Sequence, residues 1–286
     1  MTDVDTSSRF LLLITEEFGQ RALIAATLIG MVAPFTGAFL VQRRLSLVGD
    51  GVGHLALAGV ALGALVGFSG VWGALVVALL GAVLLEALRV RGRLTGDLSL
   101  ALLFYLGIAA GAVGLSLAGR FDTSALGVLF GSLFSLSWGD VALIAVLGVV
   151  VVAAVVLLYR PLLAVALDEE TARAAGLPVD ALNLLLVALT ALLVVGGMRV
   201  VGLLLVAALM VVPVAAGSKV AHSFRSTLAW AVAVGGASAL AGLMIAAAQG
   251  ELVPGGTIVL TSIALFVLFA MVGRRASVAH RPRKST

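Results

Sequence analysis

The chain has 286 residues, of which 62% are hydrophobic and 11% charged, with a formal net charge of +4 and no cysteine. Soluble domains average about half apolar and about a quarter charged, so this composition cannot cover a globule in water and points to lipid as the solvent. The missing cysteine excludes disulfides and thiolate metal sites, and the basic excess, placed in short gaps and the C-terminal tail, reads as topology rather than nucleic-acid binding.

A helical span needs roughly 20 mostly apolar residues, and the sequence predicts an all-α, polytopic transmembrane bundle. Residues 1–20 carry Asp3, Asp5, Glu16 and Glu17, and their apolar run at 10–14 is too short to cross. They lack the basic start and cleavage site of a signal peptide, and read as an extracytoplasmic segment. Candidate spans follow at 21–41, 54–68, 72–89, 98–118, 140–159, 180–198, 200–218, 226–248 and 255–273. The second is short and close to the third, so the pair also reads as a re-entrant or tilted element, making the count eight rather than nine.

With nine spans and the N-terminus outside, the inner segments hold Arg43, Arg44, Arg89, Arg91, Arg93, Arg160, Arg173, Lys219, Arg225 and the basic tail at 274–286. That leaves only Arg9, Arg21, Arg120 and Arg199 outside, of 18 basic residues in all. The positive-inside rule then predicts N-terminus out and C-terminus in. Two gaps are long: 119–139 outside and 160–179 inside. Within the inner one, residues 168–175 predict a short helix, with Asp168, Glu169 and Glu170 at its start and Gly176 as its stop. It suits either a partner contact or a plain solvated turn. Small-xxx-small pairs such as Gly63/Gly67 and Gly107/Gly111 permit close helix packing in lipid.

Ionisable groups inside spans are costly and therefore functional candidates. Asp50 and His54 open the second span, and their spacing of four puts both on one helix face. Carboxylate plus imidazole suits zinc, manganese or iron. A helix cap at Asp50 and a packing hydrogen bond at His54 would explain the same residues without a metal. Glu86 and Arg89 can pair with each other, and Asp97 can cap the fourth span. Arg199 falls between two spans, Glu251 sits in an outer turn, and His222 and His280 lie in basic inner segments. No Gly-xxxx-Gly-Lys-[Ser/Thr] phosphate loop occurs, so uphill transport would draw on a separate ATPase or an ion gradient.

Residues 37–63, with a basic pair, Gly-Asp, a His four residues after the Asp and then a small-residue helix, resemble the zinc/manganese/iron ABC-transporter permeases of the ABC-3 family. Three more stretches are similar to that family in the same order: Leu-Phe-Gly-Ser-Leu at 129–133, Asp-Glu-Glu-Thr-Ala-Arg-Ala-Ala-Gly-Leu at 168–177, and the span 198–216 with Pro213-Val-Ala-Ala in place of Pro-Ala-Ala. Pro34 in the first span is an addition. The resemblance implies a type II ABC importer-like permease of a prokaryotic inner membrane, with no enzyme activity of its own and no permanently bound cofactor. It implies a homodimer served by cytosolic ATP-binding subunits and an extracytoplasmic metal-binding protein. Asp50 and His54 become metal ligands of the pathway. Asp168, Glu169, Glu170, Ala172 and Gly176 become the ATPase seat, and 119–139 the docking surface for the binding protein. The rivals are an ion-gradient carrier using Asp50 and Asp97, and a permease for a metal chelate or vitamin B12-type ligand, which would need no ligand pair in its spans.

Overall fold

A computed structural model of the chain describes residues 15–90, 96–119, 131, 133–249 and 252–279, and these contain helices and turns but no strand. The chain order is α1 (Glu17–Gln42), α2 (Val48–Val66), α3 (Gly70–Val90), α4 (Gly96–Leu117), a 3₁₀ turn (Leu133–Ser135), α5 (Trp138–Leu157), α6 (Tyr159–Leu167), α7 (Glu169–Ala174), α8 (Val179–Val201), α9 (Leu203–Gly217), α10 (Phe224–Gln249) and α11 (Pro254–Ala279).

Seven of these helices, α1, α2, α4, α5, α8, α10 and α11, are long and apolar enough to cross a membrane, while α3 (apolar over Gly70–Leu84) and α9 are shorter apolar helices. Each of the nine expected spans thus has its helix, but the short member of the hairpin is misplaced in the sequence reading. The second helix starts at Val48, ahead of Asp50, and runs 19 residues. Counting apolar residues stops at Asp50 and His54, whereas the helix runs through both, with His54 buried and Asp50 half-buried. Arg199 belongs to the last turn of α8 rather than to a gap. The break between α8 and α9 comes at Gly202, whose φ of 86° suits a residue without Cβ.

Burial divides the bundle into centre and rim. About 72% of the spanning window of α2 is buried, against 17% for α11. α1 and α8 join α2 at the centre, and the exposed Leu and Val side chains of α4, α5 and α11 are those a lipid phase would cover. Close approach is bought with glycine: Gly59 and Gly73 bring α2 and α3 backbone to backbone, so that a Cβ on either would strike the other's carbonyl.

The ends of the helices also sort into two sets. At one end Arg21, in the first turns of α1, donates from Nη1 to the Leu136 carbonyl at 2.7 Å, beside the Ser137–Asp140 capping box that starts α5. At the other, the end of α1, the end of α3, α7 and the start of α8 meet through polar side chains. The expected inner loop holds two helices rather than one. α6 buries Leu162, Val165 and Ala166 on a single face and keeps Pro161 in its first turn, where no helical hydrogen bond is lost.

Candidate functional site

Helix α2 is rich in glycine and alanine, which lets α3 and α4 close on it and leaves its few polar side chains enclosed. Asp50 lies in its first turn and His54 one turn on. The Asp50 Oδ1 to His54 Nε2 distance is 3.7 Å, too long for a hydrogen bond. The two groups therefore lie side by side on one helix face without satisfying one another. The cap expected of Asp50 is absent: α2 starts after Leu47 with no side-chain cap.

His54 is 8% exposed. Its ring meets the edge of Phe104 on α4 at a centroid distance of 4.5 Å and an interplanar angle of 74°. Its Nδ1 has no hydrogen-bond partner, so the packing hydrogen bond of the metal-free alternative is missing as well. Gly107, one turn past Phe104, makes this contact possible, because a Cβ there would fall 2.8 Å from that of His54. The predicted glycine pair of α4 thus sits against the predicted site, with Gly111 against Leu57.

Asp50 opens on a cavity of about 600 Å³ between the start of α2 and helices α9 and α11, walled by Ser46, Leu47, Leu204, Ala208 and Val259 among others. Apart from Ser46 and Asp50 its wall is apolar, and Asp50 is its one ionisable group among the described residues. One chain offers two ligands here. No group of three or more His, Cys, Asp or Glu is placed to hold a metal ion among the described residues. A carboxylate and an imidazole make an incomplete shell for a divalent ion, so a cation held at this point would keep water or take ligands from another molecule.

The second predicted cluster forms the turn around α7. Asp168 caps it: Oδ1 accepts from the Glu170 and Thr171 amides at 3.0 and 3.1 Å, and Oδ2 from the Thr171 hydroxyl at 2.6 Å. The Thr171 hydroxyl, and then the amides, hold the Asp168 carboxyl below its ordinary pKa. Ala172 is buried, and Gly176 ends the turn at φ 82°. Arg173 forks onto Asp180 at 2.6 and 3.2 Å. Glu170 and Thr171 are exposed, but Glu169 turns into the protein, onto Arg43 and Arg89.

The Glu86–Arg89 pair forms as expected, at 3.1 and 3.2 Å. Asn183 and Phe104, by contrast, carry no signal as single residues, since they resemble any amide or aromatic in a helix, and Arg43 reads from sequence as a topology marker and half of the family's basic pair. His222 is exposed as expected. Outside the described residues, or with side chains outside them, are Asp97, Arg199, Glu251, His280, the basic tail beyond 279 and most of the outer loop 119–139.

Comparison with known proteins places these features in a lineage. Residues 15–273 match the ABC 3 transport family. The Manganese import system permease protein ScaB of Streptococcus parasanguinis is 32% identical over 251 residues, covering 88% of this chain and 89% of that protein. The Manganese transport system membrane protein MntC of Halalkalibacterium halodurans is 29% identical over 256 residues, covering 90% and 87%. Among solved structures, PsaBC from Streptococcus pneumoniae in complex with Fab superposes with a TM-score of 0.83 at 27% identity, over 96% of this chain and 99% of the other.

Proposed function

This chain belongs to the ABC 3 transport family, and from that premise we propose that it is the membrane permease subunit of an ATP-driven importer of divalent metal ions, with manganese the first cargo to test. The observation that carries the site is the Asp50–His54 pair. Two metal-ligating side chains lie one helical turn apart, the carboxylate on a cavity wall and the imidazole with an unpartnered nitrogen. Manganese comes first because ScaB and MntC are named for manganese import and manganese transport. Zinc and iron would accept the same ligand types.

Two ligands hold a cation weakly, and weak holding suits a pathway that must also release it. A homodimer would bring a second Asp50 and His54 to the ion. The working assembly is then two copies of this chain, cytosolic ATP-binding subunits, and an extracytoplasmic metal-binding protein, in the inner membrane. Residues 160–179 would seat on the ATPase and 119–139 would receive the binding protein. Residues 1–20 would lie outside and the tail 274–286 inside. The orientation is supported by the distribution of the 18 basic residues and by the meeting of Arg43, Arg89 and the α7 turn at one end of the bundle. Family membership weighs against an ion-gradient carrier.

The test is uptake of radioactive manganese and zinc by cells expressing the chain with its cognate ATPase and binding protein. Wild type is compared with Asp50→Ala and His54→Ala at matched membrane levels. Uptake that needs ATP hydrolysis and is lost in both variants is the expected result. ATP-dependent uptake indifferent to both substitutions would remove the ligand assignment, and uptake of neither metal would remove the metal-importer reading.

A further inference from the structure

The α7 end of the bundle holds a cluster of charges that a seat on an ATPase does not account for. Glu169 Oε1 accepts from Arg43, just past the end of α1, and lies 3.5 Å from Nη2 of Arg89 near the end of α3. Asn183 Nδ2, in the first turns of α8, donates to the same oxygen at 3.4 Å, and Glu86 takes Arg89 from the other side. Two cations face two anions. The Arg43 side chain is only 5% exposed, a depth at which a guanidinium needs its partners.

The position of the two arginines gives the cluster its reach. Arg43 opens the connector into α2, and that connector has little slack. Its backbone is tied by Arg43 N to the Phe39 carbonyl, Leu45 N to Leu40, and Gly51 N to Leu47, with Arg44 held at φ 60°. Arg89 ends α3, whose Gly73 and Gly81 lie against Gly59 and Leu55 of α2. Glu169 therefore holds α2 from two directions, through the connector that leads into it and through its hairpin neighbour.

We propose that Glu169 is a positioning residue of the transport cycle, carrying displacement of α7 into α2 and thereby to Asp50 and His54. This role rests on α7 being the ATPase seat but takes Glu169, engaged by Arg43 and Arg89, out of the seat's own contacts, and leaves the exposed Glu170 and Thr171 for the ATPase itself. Coupling between distant sites travels through contiguous packed or hydrogen-bonded elements, and the path here is Glu169, Arg43 and Arg89, then α2.

The experiment uses the full complex in liposomes and reads manganese transported per ATP hydrolysed. Glu169→Gln keeps the side chain's shape and removes its charge. The ATPase subunits are expected to co-purify as with wild type and to hydrolyse ATP, while the transport-to-ATP ratio falls by about tenfold. Glu169→Asp, which keeps the carboxylate, is expected to recover much of that ratio. Arg43→Lys keeps the charge but not the guanidinium fork and is expected to fall between. An unchanged ratio in Glu169→Gln, or no recovery in Glu169→Asp, overturns the proposal. Loss of the ATPase subunits from Glu169→Gln makes Glu169 a docking contact, which overturns the proposal and leaves the seat standing. If Glu169→Gln does not accumulate in the membrane, a wild-type ratio in Arg43→Lys overturns it. A wild-type chain that binds no ATPase removes the seat and the proposal together.

Discussion

The two polar clusters of this molecule are built in opposite ways. Around Glu169 the charges answer one another: Arg43, Arg89, Glu86 and Asn183 all find partners, and the one fully buried polar atom of these residues without a partner is the Asn183 Oδ1. Around His54 the accounts are open, with the Asp50 carboxylate 3.7 Å away, an orphaned Nδ1, and a cavity at the aspartate's side. Buried polar groups normally have partners, so an unsatisfied pair in a packed helix calls for a ligand while a satisfied one calls for a mechanical or structural role. The contrast separates the place where a cation would rest from the place where force would enter.

The comparison breaks first at the open cluster. Asp50→Asn and His54→Gln keep volume and remove the ligand chemistry. We expect manganese uptake to fall by more than about tenfold, since even outer-shell partners of a metal are worth about 10–100-fold, with thermal stability in detergent nearly unchanged. Variants that unfold instead would mean the pair is structural.

The closed cluster should behave in reverse. Arg43→Ala leaves Glu169 short of the more buried of its two arginine partners. Breaking a buried pair costs about 3–5 kcal/mol, and the half-open position of Glu169 brings the expected loss to about 1–3 kcal/mol. A thermal-unfolding scan of the purified protein measures it. An unshifted transition would show that the cluster is held by water rather than by its charges.

Gly107→Ala probes the wall between α4 and α2 without touching a charge. The added methyl would meet the His54 backbone and Cβ, and overpacking of this kind costs about 1–3 kcal/mol. We expect a lowered unfolding temperature together with reduced uptake. Loss of neither would mean that α4 moves aside freely.

The smallest effect concerns pH and is confined to α7. The Asp168 carboxyl is held below its ordinary 3.8 by Thr171 and Glu170, so the stabilisation it lends is complete above that value and drains as pH falls through the lower folded-state value. Amide exchange at Glu170 and Thr171 should lose protection at acid pH before the spanning helices do. Asp168→Ala should lose that protection at neutral pH as well. Equal protection in the variant would show that packing of Ala172, rather than the cap, holds the turn.

Sequence alone determined that this chain lives in lipid, that eight or nine apolar helices are present, where α7 starts and stops, and that Asp50 and His54 share a helix face. Each of these follows from local quantities: apolar run length, capping residues, and a spacing of four. Tertiary structure decided the rest. The start of α2 at Val48 is hidden because an apolar count treats Asp50 and His54 as a boundary, whereas the helix runs through both and the fold buries His54. The amphipathic α6 is hidden because its nine residues open on Arg160 and Pro161 directly after a longer apolar span, where a charge and a proline read as the start of a loop. Glu169 belonged by sequence to an exposed acidic turn. Its partners Arg43 and Arg89 lie on other helices, and their convergence depends on how α1, α3 and α7 end at one face of the bundle. Long-range pairing of this kind leaves no mark in local sequence, because it is set by helix lengths and crossings rather than by neighbouring residues.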